Sequence, residues 1–110
     1  MALLKKLSSF KKIEIQKLFK TAQTKVSVPG IIIKAAPKQA EIARMLAVTP
    51  KKMGNAPQRN LMRRRLKAIF YEQQLFAKSS DFLIFVSNEA LAIPFATLQE
   101  LMIKAAHENH

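Results

Sequence analysis

The chain has no cysteine and no tryptophan, and its 110 residues include only 7 acidic side chains and 2 glycines. Without cysteine it can form no disulfide and offers no thiol for catalysis or zinc binding, which is compatible with a cytoplasmic protein. The acids are scattered singly and the histidines, His107 and His110, lie in a polar tail, so sequence spacing assembles neither a triad nor a metal site. No apolar run approaches the roughly 18 residues that a membrane-spanning helix requires. We therefore expect no catalytic residue in this chain.

Length and composition predict one domain over residues 1–110. Hydrophobic residues make up 49% of the chain, which is enough to bury one core of ordinary size but not two. No Gly/Ser-rich or Pro-rich stretch divides the sequence, and it contains no internal repeat.

Positive charge is abundant and unevenly distributed. Residues 1–67 contain 17 of the 19 Lys and Arg residues and two acids, whereas residues 68–110 contain the other 2 cations and 5 acids. The formal net charge of +12 therefore belongs to the first three-fifths of the chain. This concentration indicates one cationic binding side, for which RNA or DNA is the commonest polyanionic partner.

The densest charge lies at residues 51–67, KKMGNAPQRNLMRRRLK, which contain the start of a helix. Gly54 can interrupt the preceding element, Asn55 can cap the helix, and Pro57 suits an early helical position. Gln58 is placed to complete a capping box with Asn55. The pattern predicts a helix that runs to about residue 76, with backbone donors at its start that can bind phosphate.

This helix has two adjacent sides. The polar, cationic side spans an arc of about 140° and consists of Arg59, Asn60, Arg63, Arg64 and Lys67. The apolar side, which must be buried, consists of Met62, Leu66, Ile69 and Phe70. A solvated face usually mixes signs, but no acid occurs between Glu41 and Glu72, so the composition favours a nucleic-acid contact over a merely solvated face.

The remaining segments predict an α+β sandwich. Residues 1–23 are Lys-rich and amphipathic and predict a first helix, with a membrane-surface helix or a transit peptide as the alternative. Residues 25–36 predict an edge or irregular strand interrupted at Pro29 and Gly30, and residues 42–49 predict a second strand. After a break at residues 79–81, a buried strand at 82–87 and a last helix at 94–106 complete the chain, so that helices pack on a small sheet.

The register of the basic segment resembles the signature of the bacterial ribonuclease P protein subunit. The matching features are two lysines at the end of a strand, a glycine, an Arg-Asn pair that opens the helix, a second basic pair and a further lysine. In this sequence they are Lys51, Lys52, Gly54, Arg59, Asn60, Arg63, Arg64 and Lys67. Residues 14–23, 44–52 and 81–86 resemble the first helix, the central strand and the last strand of the family, so the resemblance covers essentially the whole chain.

The resemblance implies a fold and a function. The implied fold is a two-layer αβββαβα sandwich with a four-stranded sheet and a left-handed crossover around the basic helix. The implied activity is an endoribonuclease that works as a ribonucleoprotein: an RNA subunit with bound Mg²⁺ hydrolyses the bond that joins the 5′ leader to tRNA. The implied partners are that catalytic RNA and precursor tRNA, in the cytoplasm, with no membrane and no obligate protein partner. The residues implied to contact the catalytic RNA are Lys51, Lys52, Arg59, Asn60, Arg63, Arg64 and Lys67.

The family also holds the single-stranded leader in a cleft between the first helix and the sheet. The resemblance places four residues there: Lys11, Lys12, Ile15 and Phe19. Ile15 stands where the family usually has an aromatic residue, and the first strand offers no tyrosine or phenylalanine. Because single-strand clefts combine cations with aromatic platforms, we expect leader binding to depend more on phosphate contacts than on stacking. Phe19 shares a helical stripe with Ile15 and Leu18, so a place in the core is the alternative for its side chain.

Two other functions share these features. A ribosomal-protein-like rRNA-binding protein would have the same charge and a small α+β fold, and only the spacing of the central motif argues against it. A basic-helix module directed at DNA or membranes is the other alternative, since a helix this basic can enter a DNA major groove.

Overall fold

A four-stranded mixed sheet with helices on both faces forms the centre of the computed structural model, which describes residues 7–107. The elements in chain order are α1 (Lys12–Thr21), β1 (Gln23–Val28), β2 (Ile31–Pro37), β3 (Met45–Val48), α2 (Ala56–Glu72), β4 (Ser80–Val86) and α3 (Phe95–His107). Short 3₁₀ turns lie at Leu75–Ala77 and Asn88–Ala92, on either side of β4. The α+β sandwich and its αβββαβα order are confirmed.

The strands β3 and β4 lie side by side and parallel, although α2 separates them in sequence. The strand order is β1-β2-β4-β3, and β2 pairs antiparallel with both β1 and β4. The parallel pair runs in register from Met45 opposite Phe82 to Val48 opposite Phe85. The basic helix α2 is therefore the crossover of a β-α-β unit, as the resemblance implies, and β3 is left as an edge strand beside it.

Residues 25–36, where the local pattern predicts an interrupted strand, form a β-hairpin of two strands, β1 and β2, in agreement with the implied αβββαβα order. Pro29 and Gly30 make the turn, and Gly30 has φ +96°, which glycine adopts without strain. A Cβ at Gly30 would lie 2.7 Å from the backbone nitrogen of Ala90, so the turn also excludes a larger residue by contact. The edge position expected for this segment holds for β1, whereas β2 lies inside the sheet.

Alternation along the strands divides the apolar side chains between the two faces of the sheet. On one face, Ile33, Phe82 and Ile84 belong to the main core, which the buried residues of α2 and α3 complete. On the other face, Leu83 packs with Leu18 of α1 in a smaller apolar cluster. Within residues 7–107, α2 and α3 therefore cover one face of the sheet and α1 covers the other.

The apolar side of α2 is buried as the sequence predicts. Its four predicted core residues are each at most 1% exposed: Met62, Leu66, Ile69 and Phe70. The helix ends at Glu72 rather than near residue 76, because Gln74 takes the left-handed conformation (φ +53°) and the chain turns into the 3₁₀ segment. Ser80 and Asp81, predicted to lie in a break, are the first residues of β4.

Other boundaries also differ from the predicted ones. The first helix was predicted over residues 1–23; α1 starts at Lys12, β1 already starts at Gln23, and residues 1–6 lie outside the described residues. The strand predicted at residues 42–49 is confined to Met45–Val48. Within residues 7–107, none of the helices has the length and apolarity needed to traverse a membrane.

Candidate nucleic-acid interface

The cationic side of α2 lies beside the edge strand β3. Arg64 and Asn60 are exposed, and Arg63 and Lys67 are half-buried where the helix meets the strand. The Arg63 guanidinium donates hydrogen bonds to Thr49 Oγ1 and to Asn60 Oδ1. Arg64 and Lys67 make no hydrogen bond or ion pair within residues 7–107, so no part of the described chain compensates their charges.

The loop before α2 is fixed by its own hydrogen bonds. The Gly54 N–H donates to Asn88 Oδ1 over 2.9 Å, which attaches the loop to the 3₁₀ turn after β4. Arg59 Nη1 donates to the carbonyl oxygens of Lys51 and Gly54, at 3.0 and 3.2 Å. Arg59 therefore supports the loop, and the side chains of Lys51 and Lys52 stay exposed.

The start of α2 is capped as the sequence predicts, but the cap leaves little backbone for a phosphate. Asn55 Oδ1 accepts from the Gln58 N–H and Gln58 Oε1 accepts from the Asn55 N–H, both over 2.9 Å. Gly54 has φ +54°, and a Cβ there would collide with Gln58 Oε1. Because Pro57 has no N–H, only the Ala56 N–H is left over among the first three helical positions. Of the backbone donors expected at this helix start, the cap therefore leaves the Ala56 N–H for a phosphate.

A groove of about 630 Å³ separates α2 from β3. Its rim is polar and cationic, with Asn60, Arg63, Arg64 and Lys67; its remaining lining comes from Met45, Leu46, Ala47, Ala68 and Ser8. Four of the seven residues expected to bind the catalytic RNA thus surround one concave surface. Its volume falls within the roughly 300–1,000 Å³ of ordinary ligand sites.

The residues expected in the second cleft lie on α1. Lys12, Ile15 and Phe19 follow at i, i+3 and i+7, which places them along one flank of the helix. Lys12 is exposed, Ile15 is half-buried, and Phe19 is 50% exposed with its ring edge-to-face against Phe85, at a centroid distance of 6.0 Å. Phe19 therefore does not lie in the core. Lys11 is the N-cap residue of α1, with an exposed side chain.

Two residues of this surface were not predicted from the sequence. Phe85 on β4 supplies an aromatic ring beside Phe19, and Lys34 Nζ on β2 lies 5.6 Å from the centroid of that ring. The signal was present in DFLIFV, because alternation places Leu83 and Phe85 on the face opposite to Phe82. The pairing of β2 with β4, which brings Lys34 to this face, could not be read from a local pattern.

A partly buried ion pair joins α1 to the strand region. The Arg44 guanidinium donates to both carboxylate oxygens of Glu14, at 3.1 and 3.2 Å, and to the carbonyl oxygen of Ser9 at 2.6 Å. Its Cζ lies 4.3 Å from the ring centroid of Phe10. The hydrogen bonds from Arg44 lower the pKa of Glu14, with the Lys11 N–H contributing in the same direction.

Asp81 at the start of β4 is fully buried below this pair. Its carboxylate accepts hydrogen bonds from the backbone N–H groups of Arg44 (2.8 Å) and Gln39 (3.3 Å). Burial raises the pKa of Asp81, and the hydrogen bond from Arg44 opposes this shift without cancelling it.

No group of three or more His, Cys, Asp or Glu side chains that could hold a metal ion occurs among residues 7–107. His107 is exposed at the end of α3, and His110 lies outside the described residues. The side chains that line the α2 groove are guanidinium, ammonium, amide, hydroxyl and apolar ones; they include no carboxylate, the side-chain ligand that Mg²⁺ usually takes in proteins.

The fold and its surface define a small, basic α+β protein with a cationic crossover helix. The chain matches the family model described as Ribonuclease P over residues 4–109. It is similar in structure to the RNase P protein of Staphylococcus aureus, with a TM-score of 0.75 and 16% identity over 93% of this chain and 94% of that one. The RNase P protein from Thermotoga maritima has the same TM-score and identity, over 94% and 97%. No curated protein sequence shows significant similarity to the chain.

The chain belongs to the ribonuclease P protein family. The family model and the fold support its place as a subunit of ribonuclease P, a ribonucleoprotein enzyme of tRNA processing, with the ribonuclease P RNA as its partner. The resemblance found in the sequence is thereby confirmed. At 16% identity the solved structures establish the shared fold.

Proposed function

We propose that the protein docks on the catalytic RNA of ribonuclease P through the cationic side of α2 and the groove beside it. The observation that carries this proposal is the pair Arg64 and Lys67, which line the groove and have no partner within residues 7–107. Such cations repel their neighbours on an isolated helix by a few tenths of a kcal/mol, and a bound anion would remove this cost. Guanidinium groups pair bidentately with phosphate oxygens, and ammonium groups pair with them as point charges.

The groove suits a nucleotide of an RNA backbone. Its rim can pair with phosphate oxygens through Arg64 and Lys67, while Asn60 can donate to and accept from a base edge or a 2′-hydroxyl. Its apolar lining, with Leu46 and Ala47, offers a surface for a ribose or a base. The arrangement favours irregular or single-stranded RNA over a regular duplex, whose bases are stacked inside.

The flank of α1 is the second RNA surface in this proposal. Phe19 and Phe85 present ring faces or edges, and Lys12 and Lys34 bring cations to the same area. This combination of aromatic platforms and cations is typical of surfaces that bind single-stranded RNA. We assign it to the 5′ leader of precursor tRNA, with Phe85 replacing in part the aromatic residue that Ile15 does not supply.

The protein contributes binding and positioning, and the RNA contributes the chemistry. The two surfaces offer cations, amides and aromatic rings, none of which is a base matched to activating water at neutral pH. Mg²⁺ bound to the RNA would supply the activated water and stabilise the leaving oxygen when the leader is cut from the tRNA. Cytoplasmic precursor tRNA is the substrate in this proposal.

The test is precursor-tRNA cleavage by the catalytic RNA of the same organism at low Mg²⁺, with and without the protein. We expect the protein to raise the rate, because its cations replace Mg²⁺ in screening the contact between RNA and substrate. Stimulation of cleavage would support the proposal. Tight binding to ribosomal RNA, together with no stimulation of cleavage, would instead support the rRNA-binding alternative.

A further inference from the structure

The helix α1 rests on the sheet through few apolar contacts. Leu18 is its only fully buried side chain. It packs with buried Ala36 and Leu83, and partly buried side chains, among them Leu46, Val48 and Phe85, complete this small apolar cluster. Two of its large apolar residues, Ile13 and Phe19, are 72% and 50% exposed. One buried leucine resists separation of the helix from the sheet, but it does little to fix the tilt or the lateral position of the helix.

Polar contacts at the amino-terminal end of α1 supply this fixation. The Arg44–Glu14 pair is bidentate, and the side chains of the two residues are only 8% and 19% exposed. Gln39 Nε2 also donates to the Glu14 carbonyl oxygen over 3.0 Å. Arg44 reaches the carbonyl oxygen of Ser9 as well, so the last turn of chain before α1 is attached to the same guanidinium.

The residues that hold α1 are themselves fixed to the centre of the sheet. Asp81 on β4 accepts from the backbone N–H groups of both Arg44 and Gln39, and the Phe82 N–H donates to the Arg44 carbonyl oxygen over 2.8 Å. The contacts therefore form a continuous chain from β4 through Arg44 to Glu14 and α1. A bidentate guanidinium pair at its centre defines orientation as well as distance.

This chain of contacts lies close to the proposed leader surface without being part of it. Glu14 and Phe19 are five residues apart, about 7.5 Å along the helix axis. Phe19 faces Phe85 across the gap between α1 and β4, so a tilt of α1 about its amino-terminal end changes the spacing of the two rings. Arg44 has its charge compensated by Glu14 and is 6% exposed overall, which distinguishes it from the exposed cations available to phosphate.

We infer that Arg44 and Glu14 are a positioning pair: they set the distance and tilt of α1 over the sheet, and thereby the affinity for the leader, without contacting RNA. The inference rests on the proposed function of the α1 surface. Arg44 precedes β3 in the basic part of the chain, and its charge alone would suggest a phosphate contact. The structure assigns its charge to Glu14 instead.

The test compares the affinities of the reconstituted holoenzyme for precursor tRNA with a leader and for the same tRNA without one. Glu14→Gln keeps the size of the side chain and an acceptor for the Lys11 N–H, but it removes the ion pair. We expect the ratio of the two affinities to fall about three- to tenfold, part of the loss caused by removing an aromatic platform. An effect of charge alone would raise the affinities instead of lowering their ratio, because removing an acid strengthens RNA binding.

The matched control is Glu41→Gln, which makes the same charge change at an exposed residue whose side chain has no partner in the described part of the chain. It should leave the ratio unchanged or raise both affinities slightly. Equal behaviour of the two variants would overturn the inference. Affinity for the catalytic RNA should be unchanged in Glu14→Gln, whereas general loss of structure would lower all affinities together.

Arg44→Met separates positioning from phosphate contact. A positioning residue leaves the slope of log affinity against log salt unchanged, whereas a lost phosphate contact lowers it by about 0.7–0.9. A lowered slope would overturn the inference. If Arg44→Met does not fold, the comparison of Glu14→Gln with Glu41→Gln decides by itself. No leader contribution in the unmodified holoenzyme, with cleavage still stimulated, would overturn the leader assignment and this inference with it, but not RNA docking by α2.

Discussion

Replacing Arg64 and Lys67 by alanine should weaken binding to the catalytic RNA about 15- to 30-fold at 0.15 M salt. Each cation that pairs with a phosphate releases about 0.7–0.9 counterions, which corresponds to a factor of about 3.8–5.5 per contact between 0.15 M and 1 M salt. The slope of log affinity against log salt should fall by about 1.4–1.8. The variant should fold as well as the parent, because neither side chain has an intramolecular partner within residues 7–107 and alanine is the best helix former.

The assay is a titration of the RNA at several salt concentrations, with thermal unfolding of each variant as the check on folding. Arg65→Ala is the matched control: it removes one cation from the same helix, but about 100° away from the side of Arg64 and therefore outside the groove. It should change the affinity and the slope little. An equal loss in the control, or an unchanged slope in the double variant, would refute the assignment of the groove as the docking surface.

Three further predictions concern the supporting structure. Gly54→Ala should lower the free energy of unfolding by about 1–2 kcal/mol, because φ is +54° and the new Cβ would collide with Gln58 Oε1. Urea titrations measure this change, and an unchanged unfolding midpoint would contradict the prediction. The pKa of Glu14 is lowered, so its contribution to stability is complete above its ordinary value of 4.5 and is lost as the pH falls through the lowered value. Glu14→Gln should therefore flatten the loss of stability below pH 4.5, and an unaltered pH profile would refute the role of the pair. Phe19→Ala should reduce leader affinity roughly fivefold or more with little change in stability. The control Phe95→Ala, which removes an exposed ring on α3, should leave leader affinity unchanged. Easier unfolding of Phe19→Ala with normal leader affinity would instead assign Phe19 a packing role.

The basic helix could be predicted closely because its signals are local. Asn55, Pro57 and Gln58 fix its start, and the apolar spacing identifies the side that is buried. Its end could not be predicted, because the apolar pattern continues through Leu75 and Phe76, which pack on the core from a 3₁₀ turn instead of from the helix. Gln74 adopts the left-handed conformation just after the end of the helix, and no glycine or proline in the sequence marks this position.

The candidate sites were predictable in part for the same reason. The helical repeat determines which residues of one helix share a face. The groove does bring Asn60, Arg63, Arg64 and Lys67 together. The finer division of roles depends on contacts between distant segments. Arg59 is occupied by loop carbonyls, and the hydrogen bonds of Asp81 to residues about 40 positions earlier depend on the sheet order rather than on any local pattern.

Probing from single introduced cysteines tests the docking surface most directly, and the absence of cysteine from the chain makes each introduced thiol unique. Lys67→Cys places a tethered radical-generating group in the groove, and Glu100→Cys places it at an exposed position on α3. The account predicts strand scission of the bound catalytic RNA at a few defined nucleotides from position 67, and little or none from position 100. Scission from position 100 without scission from position 67 would contradict it.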